Sequence, residues 1–268
     1  MKVARAVGQG FRITHKGWQV IFVLFIFNAV IRFFVAPTEA ISPASRTATE
    51  WGFVFLISLV SIFGLSFLWG GVLAFARNGI KESIGGFRWF FGNCNRYFLR
   101  QLGLNIILGI SLWAMFFLSA VLFGGALIVK ITNLSASVVL GFISIILLIL
   151  AIAFLILSSF SWTIVVAKDA KIFNAIVQSF LFVRKRFVRI VGLLSLLLVV
   201  VLAVSLIVGI IYGLSIYALR NVGITNLEII LTEFLGCVLY AYFGLLSASS
   251  FMAYYLNNEQ APEQIGAA

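Results

Sequence analysis

Few side chains in this sequence are equipped for chemistry. His15 is the single histidine, and it sits in a basic segment without cysteine or carboxylate neighbours. A zinc centre needs several N, S or O ligands, and a serine nucleophile needs a histidine held by an acid. His15 therefore reads as a surface residue. Gly-x-x-x-x-Gly-Lys is absent, which removes nucleotide binding through a P-loop. Cys94 falls in a basic stretch and Cys237 in an apolar run, so no disulfide is expected between them. No catalytic residue, metal site or cofactor is expected, and the chain does not read as an enzyme.

Charges set within apolar runs are better candidates. Asn28 and Arg32 are four residues apart and share one face of a helix. Glu228 and Glu233 fall in the outer third of a later run. An ionisable group at such depth is costly and faces a partner or an aqueous cavity. Arg32 is the natural partner of Glu233. Asn28, Arg32 and Glu233 could then form a polar relay, or a structural pair fastening the first span to the last. The structural reading is preferred, because proton and ion routes need several such groups at mid-depth.

A second set is basic: Arg96 and Arg100, and the cluster Arg184, Lys185 and Arg186 with Arg189. Such residues at a membrane surface gain about 1 kcal/mol each from anionic lipid. They are candidate headgroup ligands, although generic anchoring explains them more simply.

Composition says what must position these residues. Of 268 residues, 63% are hydrophobic and 10% charged, and the mean hydropathy is +1.16. Soluble domains are roughly 45–50% apolar and about 25% charged, so a water-soluble domain is excluded. About 20 apolar residues cross a bilayer, and six runs qualify: Trp18–Pro37, Trp51–Ala76, Leu102–Val129, Ala136–Ala167, Ile190–Leu219 and Leu227–Leu256. The last three are about 30 residues long, roughly 45 Å as helix, and should tilt or project. No segment alternates as a barrel strand would. The expected fold is an all-α membrane protein, one six-span bundle over residues 1–256 with a short polar tail at 257–268.

The net charge is +11, from 19 Lys and Arg against 8 Asp and Glu. In a soluble chain this would suggest nucleic acid. Here most positives fall on one side of the spans: Lys2 to Lys16, Arg77 to Arg100 and Lys168 to Arg189. The positive-inside rule makes that side cytoplasmic. Both termini are then inside a cell (inner) membrane, and no nucleic-acid partner is expected. A cleaved signal peptide ending near Thr38-Glu39-Ala40 is the competing reading of the N-terminus, but its apolar run exceeds the usual h-region.

The basic segments carry their own pattern. Lys2, Arg5, Gln9, Arg12 and Lys16 recur at helical spacing opposite Val3, Val7 and Phe11. Ile80, Ile84, Phe87, Phe91, Cys94 and Phe98 form a second apolar stripe, in which Gly85-Gly86 and Gly92 would allow a bend. Ile172, Ile176, Phe180, Val183 and Phe187 form a third, opposite Lys171, Asn174, Gln178 and Lys185. Such amphipathic helices lie along the headgroups.

Ala6–Phe11 aligns with Ala175–Phe180, and Phe98–Gly103 with Phe187–Gly192. Trp69 and Trp162 occupy matching places, with Phe251 the equivalent in the last run. The pattern predicts an interfacial helix plus a two-span hairpin used three times, over about residues 1–76, 77–167 and 168–256. Ser205, Gly209 and Gly213 form a small-residue stripe read as internal packing.

Ala175–Gly192, with its Arg184-Lys185-Arg186 cluster before the fifth run, resembles a family of six-span prokaryotic membrane proteins. That family includes the membrane domain fused to some glycerophosphodiester phosphodiesterases. The likeness is one of residue type and spacing over nearly the whole chain. The family's catalytic barrel is absent, so the resemblance implies no phosphodiesterase activity.

The expected function is a lipid-interacting or membrane-organising protein whose partners are membrane lipids, anionic by the charge argument. The alternative is a permease or transporter subunit, with a soluble cytoplasmic ATPase as partner. Carriers place broken helices and polar groups near the midplane, whereas the middles of these runs are almost wholly apolar. Substrate and oligomeric state are not legible.

Overall fold

The computed structural model describes residues 3–39, 46–81, 86–129, 134–221 and 227–259. Among them every regular element is helical. In chain order these are α1 (Val3–Lys16), α2 (Trp18–Glu39), α3 (Ala48–Ile80), α4 (Phe87–Val129) and α5 (Leu134–Ser158), followed by α6 (Ser161–Ala167), α7 (Ile172–Lys185), α8 (Phe187–Asn221) and α9 (Leu227–Glu259). Six stretches are long and apolar enough to cross a membrane. The chain is an all-α, multi-pass membrane protein. The calls on Lys2, Ile84, Gly85, Lys130 and the tail beyond Glu259, and on the side chains of Arg220 and Glu228, lie outside the described residues.

Local sequence explains where these helices begin and end. Thr47 accepts from the Glu50 backbone N–H while the Glu50 carboxylate receives the Thr47 N–H at 2.6 Å, a capping box that starts α3. Of the separate interfacial helix expected around Ile80–Phe98, Ile80 closes α3 and Phe87–Phe98 form the first turns of α4, a continuous 43-residue helix. At 1.5 Å per residue it measures about 65 Å, far beyond the roughly 30 Å of hydrocarbon. Tertiary contact stabilises those turns: their buried residues are Phe90, Cys94 and Tyr97, while Phe87 and Phe91 are exposed. The fourth run also differs, since it is divided between α5 and α6.

The chain clusters into two compact units, Met1–Leu99 with Val188–Ala268, and Arg100–Phe187. In the first, α1 packs on the C-terminal half of α9, and α2, α3 and α9 pack together. Bilayers supply no hydrophobic drive between helices, so close packing depends on small residues. Gly10 lies against Ser250, and Gly64 against Phe27. A Cβ at Gly17 would come within 2.7 Å of Leu245 and 2.9 Å of Phe75; at Gly70, within 2.9 Å of Tyr97. The buried residues of α3 gather in Ser66–Ala76, whereas Trp51, Phe55 and Val60 nearer its start are exposed. Packing is therefore tightest at the end that carries Arg5, Arg12 and Arg77.

One packing expectation fails. A Cβ added at Gly209 or Gly213 would meet nothing within 4 Å, so neither glycine makes a close helix approach among the described residues.

In the second unit, Ser119 and Ser144 join α4 to α5 reciprocally. Each hydroxyl donates to the other's carbonyl, at 3.0 Å and 2.8 Å. Ser137 also donates to the Ala126 carbonyl at 2.8 Å. Interhelical bonds of this kind average about 0.6 kcal/mol in membranes, with about 1.7 the largest measured.

Candidate lipid-binding surface

The second unit is organised around the break between α5 and α6. The Ser179 hydroxyl, from α7, donates to the Leu157 carbonyl at 2.7 Å and accepts the Phe160 N–H at 3.2 Å. These bonds satisfy backbone groups freed by the break, which would otherwise be orphaned. Gln101 donates to the Trp162 carbonyl at 3.3 Å, and the Trp162 indole N–H donates to Asn105 Oδ1 at 2.6 Å. Asp169 follows with φ of 55°, in the left-handed region that Asp tolerates better than most residues.

The Ser179 bonds fix the roll of α7 against the break. Its packed residues are Ala175, Ser179, Phe182 and Val183. With about 100° between successive residues, its remaining surface falls into two sectors. One is apolar and outward: Phe173 is 70% exposed, Val177 58% and Leu181 54%. The other is polar, with Asn174 and Lys185 exposed and Gln178 half-buried; Arg184 lies in the last turn, in line with the apolar sector. The stripe expected from the sequence, Ile172, Ile176, Phe180 and Val183, marks the boundary between the packed and outward apolar faces. The apolar surface of α7 is therefore wider than that stripe.

The basic candidates divide by what they touch. Arg184 and Lys185 are exposed. The Arg186 guanidinium lies 4.8 Å from the centre of the Phe182 ring, a cation–π arrangement. Arg100 is committed within the protein, donating to the Asp169 carboxylate at 2.6 Å and to its carbonyl at 2.9 Å. It clamps the turn between α6 and α7. In the first unit, Arg96 lies 5.4 Å over the neighbouring Tyr97 ring, and Arg189 is exposed on the first turn of α8.

The intramembrane candidates also lie in the first unit. Arg32 Nε is 3.7 Å from Glu233 Oε2, and the two side chains are 50% and 41% exposed. Phe25 and Phe234 meet edge-to-face at 5.2 Å beside them. Asn28 does not join the pair, because its Nδ2 donates to the Leu24 carbonyl of its own helix at 2.7 Å. On the same helix as Glu233, Thr232 hydrogen-bonds Tyr212 of α8.

Several contributing residues escaped sequence reasoning. Ser179, Gln101, Asn105 and Asp169 are isolated polar residues with no motif. The one available signal was the cluster Ser158-Ser159-Phe160-Ser161, three hydroxyls competing with helical hydrogen bonds. Among the described residues no group of three or more His, Cys, Asp or Glu could hold a metal ion. Compared with family models, characterised proteins and solved structures, the chain finds no match.

Proposed function

We propose that this protein is a non-enzymatic, lipid-interacting component of the cell's inner membrane, with α7 lying along the cytoplasmic headgroup layer. One observation carries the reading. The residues α7 needs for packing are distinct from the exposed row Phe173, Val177 and Leu181, and that row ends at the exposed Arg184, with Lys185 beside it on the polar sector. An amphipathic helix of this kind buries its apolar face at the headgroup–acyl boundary and draws anionic lipid to its charges. The break at Ser159-Phe160 lies only a few turns from Lys168, at the basic end of its span. Carriers break their helices near the midplane. The threefold repeat and the cytoplasmic placement of both termini belong to the same proposal, supported by the distribution of positives.

Native mass spectrometry of the purified protein tests the lipid claim. At about 1 kcal/mol per basic residue, Arg184→Gln with Lys185→Gln should reduce retained phosphatidylglycerol by roughly thirtyfold. Equal retention in parent and variant would make the basic end a topology signal only.

Orientation has a separate test. Cys94 and Cys237 are buried and should give little background. A cysteine at the exposed Thr49 should react with an impermeant thiol reagent in intact cells, and one at the exposed Asn174 only after permeabilisation. The reverse labelling would invert the topology.

A further inference from the structure

The break between α5 and α6 has no glycine or proline to cause it. Neither residue occurs between Gly141 and Gly192. Helices without them kink where a side chain enters the ladder of backbone hydrogen bonds, and here that side chain comes from another helix. We infer that the break and the seat of α7 form one two-state switch: while Ser179 occupies the ladder, α7 is seated and the helix is broken, and when α7 leaves, α5 and α6 join into one continuous helix.

The ladder shows the competition. In a continuous helix the Leu157 carbonyl would accept the N–H of Ser161, four residues on. It accepts the Ser179 hydroxyl instead, at 2.7 Å, and the same hydroxyl receives the Phe160 N–H at 3.2 Å. Among the described residues no backbone N–H of Ser161, Trp162 or Thr163 donates across the break, and the first helical bond of α6 runs from Ile164 to the Phe160 carbonyl at 2.9 Å.

The Ser161 hydroxyl is displaced with its backbone. Ser58, Ser61, Ser66 and Ser111 each donate to the carbonyl four residues back in their own helices. For Ser161 that carbonyl is Leu157, which Ser179 has taken, and the Ser161 hydroxyl is buried with no partner among the described residues. The broken form thus carries desolvation costs that the joined helix would relieve, and Ser179 offsets them.

Little rearrangement separates the two forms. Phe160 has φ −91° and ψ −5°, roughly 30–40° from the ideal helix in each angle. Its ring packs on Phe182 of α7 at 5.0 Å, and Phe154 of α5 meets Phe180 at 5.6 Å. The residue that must turn to rejoin the helix is therefore part of the seat. The switch uses the packed face of α7 and the lipid reading its outward face, so either can fail alone.

Hydrogen exchange of the full-length protein in detergent tests the coupling, read on peptides covering residues 159–167 and 172–185. Ser179→Ala removes two side-chain bonds, which should shift the equilibrium about tenfold. Amides of α7 should then exchange about tenfold faster, while those of 159–167 slow because they regain helical partners. A staple without a switch would speed both. Ser159→Ala with Ser161→Ala leaves α7 untouched and raises helix propensity across the break. It should move the two peptides in the same opposite directions by a smaller factor. Unchanged or faster exchange at 159–167, or unchanged or slower exchange of α7, in either variant overturns the inference. Should Ser179→Ala not fold, the double variant decides alone.

Discussion

Gly10→Leu is expected to strip α1 from α9 and destabilise the protein by about 1–3 kcal/mol, the range for overpacking a close contact. A Cβ at position 10 already collides with Ser250 Oγ and comes within 3.2 Å of the Ser250 backbone nitrogen. The hydroxyl can rotate aside, but the backbone of α9 cannot, so a branched side chain has no space. Limited proteolysis should then cut within α1, and the melting temperature should fall. Two comparisons separate packing from propensity. Gly8→Leu, one turn face away, should be harmless. Gly10→Ala should be milder and partly rescued by Ser250→Ala, because the buried Ser250 hydroxyl has no hydrogen-bond partner among the described residues and its loss costs little. A Gly10→Leu protein as stable as the parent would remove the packing account of α1.

The second large effect lies at the opposite end of the same unit. Arg32→Leu should leave the Glu233 carboxylate facing lipid without its cation. A charge costs about 2.5–3.5 kcal/mol at the helix centre on insertion scales and less toward the interface. A loss of about 1–3 kcal/mol is therefore expected, given the half-exposed side chains. Glu233→Leu should cost a similar amount. The double variant should recover most of it, because removing both partners leaves no unpaired charge. Additive losses would mean that the pair is not coupled. Asn28→Leu should matter little, since its amide bonds its own helix at Leu24.

The six spans were legible because hydropathy alone decides which runs cross a bilayer. Helix continuity was less so. Gly92 suggested a bend before the third span, yet the buried contacts of Phe90, Cys94 and Tyr97 override that local weakness and keep α4 whole across it. Ser179 shows the converse, where a single hydroxyl on a distant helix stabilises a break that the apolar run conceals. The proximity of Arg32 to Glu233 followed from the cost of intramembrane charge, which leaves few partners. The role of Arg100 did not, because its carboxylate lies in a short turn whose geometry depends on a left-handed Asp169. On α7 the periodicity located an apolar face but missed its width, since the same sequence supplies a packed side and an outward side.

The placement of α7 is best tested by spin labels introduced singly at Phe173, Val177, Leu181 and Asn174 in lipid vesicles. Collision with oxygen, which concentrates in hydrocarbon, is compared with collision with a water-soluble nickel chelate. Labels at 173, 177 and 181 should favour oxygen and sit at shallow depth just below the headgroups, while the label at 174 should favour the chelate. Uniform chelate access along all four positions would place α7 in water and contradict the account.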